Sequence, residues 1–217
     1  MSSATNWEGH SFAGSEIMTV LVDKDEVKYY LHKDKLTSEC PFFAKCLGSG
    51  MKEAHTNEVK LPEDDVEALD CFVDWIYKEP MPNISVGESV IVTMKAWVLA
   101  EKLCMPKWQN ALIDHLAHIF TYFPVVKASH LSWINDNVPT PSPLSNFMRD
   151  YFAHELAKNA GAYRKKQESE LGLDEGLWSA LSKSPTGDQV TLKAIAIARD
   201  SDASNPKNRP HEHHVPV

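Results

Sequence analysis

Near the start of the chain, two short stretches carry a strand-like pattern. Ile17-Met18-Thr19-Val20-Leu21-Val22 is an almost unbroken β-rich apolar run, the pattern of a strand covered on both faces. Asp23-Lys24-Asp25-Glu26 interrupts it with turn-forming residues. Val27, Tyr29 and Leu31 then alternate with Lys28, Tyr30 and His32, the period of a strand with one buried face. The two stretches predict a hairpin. Two short helical pieces follow, Lys33 to Glu39 and Pro41 to Leu47, and Gly48-Ser49-Gly50 ends the second. Pro41 suits a first helical turn, where its missing N–H is not needed. Glu58-Val59-Lys60-Leu61 alternates once more and stops at Pro62, which predicts a third strand.

From there the period becomes helical. Asp64 or Asp65 can cap a helix in which Val66, Leu69, Val73 and Ile76 share a face, widened by Phe72 and Trp75 and ended by Pro80 and Pro82. A longer helix is expected from Val86 to Cys104, with Val92, Ala96, Leu99 and Leu103 as its stripe. Pro106 opens another, lined by Trp108, Leu112, Leu116, Ile119 and Phe123 and closed by Pro124. The stretch from Val138 to Pro143 holds three prolines and reads as a linker. Ser142 can cap a further helix with Pro143 at its first position and a stripe of Leu144, Phe147, Met148, Tyr151, Phe152 and Leu156. Weaker helical patterns cover residues 162–183 and 189–199.

Hairpin, small helices, strand and then longer helices predict an α+β domain over residues 16–123, a small sheet covered by helices. A loose lead-in spans 1–15, a helical extension 124–199, and a polar, proline-bearing stretch at 200–217 is expected to be disordered.

Composition narrows the function classes. The 217 residues are 43% hydrophobic, enough for a sizeable core. The net charge of −8 argues against a nucleic-acid surface, which needs clustered Lys and Arg. The basic run Arg164-Lys165-Lys166 is followed closely by Glu168 and Glu170 and reads as a solvated helix face. No stretch has the apolar length of a membrane span, and no signal peptide is visible. Cys40, Cys46, Cys71 and Cys104 form no CxxC pair and read as buried free thiols of a reducing compartment, cytoplasm or nucleus.

Candidate chemistry is sparse. His115 and His118 stand three apart on a helix, but two ligands alone do not make a metal site. His211, Glu212, His213 and His214 are taken as part of the disordered tail, with adventitious metal binding as the alternative. Glu63, Asp64 and Asp65 sit at a helix start, where negative charge complements the helix dipole. Trp75, Trp97, Trp108 and Trp133 fall at helical positions and read as core. Nucleotide-binding, nucleophile-elbow and metalloprotease motifs are missing. The reading is of a non-enzyme, with no catalytic residue, cofactor or metal assigned. The rival is an enzyme whose site is built from scattered residues, near His32, His115 or His130.

The ordered blocks carry a family resemblance. The hairpin, then Tyr29-Tyr30-Leu31-His32-Lys33, then Cys40-Pro41-Phe42-Phe43, resembles the BTB/POZ signature. Leu61-Pro62-Glu63-Asp64-Asp65 followed by Phe72-Val73-Asp74-Trp75-Ile76-Tyr77 is similar to its next block, and Leu99-Ala100-Glu101-Lys102-Leu103-Cys104-Met105 to its late helix. The style is that of small BTB proteins of filamentous fungi. Ser15-Glu16 stands where many members have Ser-Asp, and Cys40 near a usual Ser. The resemblance implies a BTB/POZ fold, with a hairpin and a further strand covered by about five helices. It marks His32, Lys33, Phe42, Phe43 and Tyr77 as fold signature. It implies protein partners, a homodimer or hetero-oligomer, and in some members a cullin scaffold of a ubiquitin ligase. In those adaptors an apolar residue, any residue and Glu lie between the second helix and third strand, where Met51-Lys52-Glu53 stands here. A transcription-regulatory scaffold acting through a DNA-binding partner is the alternative. The short polar lead-in tells against a strand-swapped dimer and leaves one through the helix Lys33 to Glu39 open.

Overall fold

The structure, a computed structural model, describes residues 14–48, 50, 52–78, 89–122, 126–165, 187–200 and 202–217. Residues 1–13 of the expected lead-in, the stops at Pro80, Pro82 and Pro124, and most of the 162–183 pattern lie outside the described residues. The chain divides into two compact units, Met1–Val66 and Glu67–Val217.

The first unit is built on a three-stranded sheet. β1 (Ile17–Val22) lies between β2 (Val27–His32), antiparallel, and β3 (Glu58–Leu61), parallel. Tyr29 faces Val20 from one side and Val59 faces it from the other. Strand alternation puts Met18, Val20, Val22, Leu31, Val59 and Leu61 on one face, each at most 5% exposed. The β1–β2 turn runs through Asp23 and Glu26, both left-handed at φ 63° and 51°. The Asp23 N–H donates to the Leu61 carbonyl at 3.1 Å, tying the turn to β3.

A parallel return needs a crossover, and three short helices make it. α1 (Lys33–Glu39) and α2 (Pro41–Gly48) bury Leu36, Cys40 and Phe43. α3 (Lys52–Thr56) is an addition to the expected elements. β1 also departs from expectation. Its outer face is covered only in part, since Leu21 there is 4% exposed but Ile17 is 49% exposed.

The second unit is helical. α4 (Val66–Lys78) starts at the boundary and buries Ala68, Leu69, Cys71, Phe72 and Ile76. α5 (Ser89–Lys102) is buried nearly all round, at Val90, Val92, Met94, Ala96, Trp97, Leu99 and Ala100, as suits a central helix. It ends with Cys104 left-handed at φ 58°, the Cys104 N–H on the Glu101 carbonyl and the Met105 N–H on that of Ala100. That paired closure normally takes glycine. Cys104 is consequently exposed rather than buried, while Cys40 and Cys71 are buried and Cys46 lies between.

α6 (Pro106–Tyr122) packs on α5 and buries Trp108, Leu112, Ile113, Leu116, Ile119 and Phe120. α7 (Ala128–Asn137) is an addition to the expected elements, buried at His130, Leu131 and Ile134. α8 (Pro143–Lys165) opens as predicted. The Ser145 N–H donates to Ser142 Oγ at 3.2 Å and the Ser142 N–H to Ser145 Oγ at 2.9 Å, a reciprocal cap with Pro143 between them. Its stripe stacks Tyr151 on Phe120 at 4.3 Å between ring centres and 10° between planes, with Phe147 alongside. α9 (Gly187–Arg199) lies against α8.

The structure describes the stretch that the sequence expects to be disordered. Two short 3-10 turns, Pro206–Asn208 and Pro210–His213, pack on α6 and α8. Low hydrophobicity deprived the stretch of a burial signal, but Asn110, Asp114 and the Phe120 carbonyl supply it with polar partners.

Candidate functional site

The outer face of the sheet carries exposed apolar surface. Across the β1–β2 ladder Thr19 faces Tyr30 and Ile17 faces His32. Tyr30 is 67% exposed and Ile17 is 49% exposed. β2 is also an edge strand. A Tyr and an Ile set diagonally at the open end of a sheet face whose Leu21 is buried give contact area with a polar handle, the composition of a protein contact.

One corner of this face is held by Lys33. Its Nζ lies 2.7 Å from Glu16 Oε2 and donates to Asn57 Oδ1 at 3.2 Å. Its N–H donates to the Glu16 carbonyl at 2.8 Å, and the Thr19 N–H to the Asn57 carbonyl at 2.9 Å. Lys33 thus joins the approach to β1, the start of α1 and the approach to β3. The hydrogen bond from Lys33, then its charge, holds the Glu16 carboxyl below its ordinary value. His32 is half-buried at the junction from β2 to α1. Phe43 is fully buried and Phe42 meets it edge-on, ring centres 5.3 Å apart. Tyr77 lies half-buried on α4.

Lys52 is exposed and Glu53 half-exposed in the first turn of α3, while Met51 lies outside the described residues. Burial, and then the Glu53 charge, pushes the Cys46 thiol up, which keeps it protonated and a poor nucleophile. Sequence reasoning missed Glu16 and Asn57 as partners of Lys33, because pairs 17 and 24 residues apart leave no local pattern. It also placed Tyr30 among the outward polar positions of β2. An aromatic at such a position was the available signal.

The other candidates separate. The His115 ring is pushed below its ordinary value by burial and by nearby His118. His118 instead meets Tyr122 edge-on at 5.0 Å. Among the described residues, no group of three or more His, Cys, Asp and Glu could hold a metal ion, and no helix is long and apolar enough to cross a membrane. A polar cavity of about 490 Å³ lies in the second unit, lined by Arg149, Asp150, Lys193, Glu212 and His213 among others; His32, His115 and His130 are not in its lining.

A model of the BTB/POZ domain matches residues 11–119, just over half of the 217. The chain belongs to the BTB/POZ family, and its matched part is a protein-interaction module of the α+β class. No curated protein matches the chain.

Proposed function

We propose that this chain is a non-enzymatic recruiting module of the cytoplasm or nucleus that assembles with a second copy or a related chain and docks a protein partner. The observation that carries this is the open sheet face with Ile17 and Tyr30 outward, in a domain whose family serves protein contacts. The finer reading is a substrate adaptor of a cullin-type ubiquitin ligase. Met51-Lys52-Glu53 supports it, since Met can fill an apolar groove and a half-exposed Glu53 can meet a basic group. The experiment is capture of purified cullins on the immobilised chain, with light scattering of the same preparation. Capture that Met51→Ala and Glu53→Lys each weaken at least tenfold is the expected result. Absence of cullin capture removes the adaptor reading. A strictly monomeric chain that Tyr30→Ser leaves unchanged in every partner contact removes the recruiting role of the sheet face.

A further inference from the structure

The surface formed by α6 and α8 has the features of a peptide-reading groove, and the chain fills it with its own residues 204–217. The Asn110 side chain donates to the Val215 carbonyl at 2.9 Å and accepts from the Val215 N–H at 2.6 Å. It thereby satisfies both backbone groups of one residue, as a neighbouring strand would, whatever the side chain there. One helical turn on, Asp114 Oδ1 lies 2.9 Å from His214 Nε2, a contact that selects an imidazole. Phe147 takes the edge of the His213 ring at 5.5 Å. Further along, Lys207 Nζ donates to the Phe120 carbonyl at 3.3 Å and Asn205 Nδ2 to Glu155 Oε1 at 3.3 Å.

No described side chain from Asp202 to Val217 is buried. The segment is therefore held by polar contacts and half-buried side chains such as Pro206, Pro210 and Val215, without a fully buried apolar anchor. Segments of that kind open at low cost. Tethering offsets this, because a covalently linked segment faces its site at an effective concentration of order millimolar.

We infer that the α6–α8 surface is a binding groove for a segment with two histidines followed by an aliphatic residue, filled in cis by residues 204–217 and open to the same segment of a second copy when the resident one is displaced. This site is separate from the sheet face and does not depend on the role given to it. The probe is a labelled synthetic peptide of residues 204–217, titrated by fluorescence anisotropy into the full-length chain and its variants. The full-length H214A/V215P variant loses the imidazole and the donated N–H of its own segment, and should bind the peptide at least tenfold more tightly than the unaltered chain. Adding N110A should abolish that gain. Amide exchange supplies a second reading in the unaltered background, where N110A should speed exchange at Val215 at least tenfold and leave α5 protected. The inference is overturned if the H214A/V215P variant binds no peptide, if both chains bind it equally, or if N110A leaves peptide binding or Val215 exchange unchanged.

Discussion

Tyr30 in the first unit and Tyr151 in the second are the same residue put to opposite uses. Tyr30 stands on an edge strand, two-thirds exposed, facing Thr19 across the ladder. Tyr151 is fully buried, stacked on Phe120, with its hydroxyl donating to the Phe120 carbonyl at 3.4 Å. The backbone environments account for the difference. A three-stranded sheet buries one face, and alternation sends every second side chain the other way. In α8 Phe147, Met148, Tyr151 and Phe152 recur at helical spacing, and all four are fully buried. The open sheet face offers contact area, whereas the α8 stripe holds the second unit together.

The sharpest test of that contrast is truncation on each side. Phe147→Ala should cost about 3–5 kcal/mol in urea unfolding, since it removes a fully buried ring and leaves a cavity. Tyr30→Ser, at the other extreme, should change stability by less than about 0.5 kcal/mol. Equal costs would break the contrast.

Next in size is a pH effect inside the second unit. Burial, and then the Lys127 charge, pushes His130 down to about 4, and its Nδ1 accepts the Lys127 N–H at 3.2 Å. The unfolded chain takes up this proton near 6.5, the folded chain only near 4. The unfolded state therefore binds more protons between those values, and stability falls as pH drops through that window. The loss is about 3 kcal/mol at full extent. Urea midpoints from pH 7 to pH 4 measure it, and His130→Gln should flatten that part of the profile.

A smaller effect is expected at the start of α8. Ser142→Ala removes one half of the reciprocal cap and should cost about 1 kcal/mol. At the end of α5, Cys104→Gly should raise stability by about 0.5 kcal/mol, because glycine adopts the left-handed conformation without steric cost. A destabilised C104G chain would show that the thiol makes a contact worth more than the backbone strain. Thermal melts at pH 7 resolve both.

Much of this arrangement is legible along the chain. The hairpin follows from period-two alternation around a polar turn. The α8 start follows from Ser142-Pro143, because capping is decided within four residues. The stripes of α5, α6 and α8 follow from helical spacing. α7 escaped because its buried residues are only His130, Leu131 and Ile134 among the described ones, too few for a clear stripe. The left-handed Cys104 escaped because glycine normally marks that position.

Sequence alone therefore determined what local rules control: the hairpin, the third strand, the longer striped helices, and the ordered blocks of a BTB/POZ chain. Tertiary structure alone decided the rest. β3 pairs parallel to β1 across three intervening helices, Lys33 finds Glu16 and Asn57, and residues 204–217 find Asn110 and Asp114 about a hundred positions earlier. The contacts of Lys33, Asn110 and Asp114 are hydrogen bonds and ion pairs made by polar groups far apart in the chain. They depend on where the backbone brings two distant polar atoms, and they leave no hydrophobic period from which they could be read.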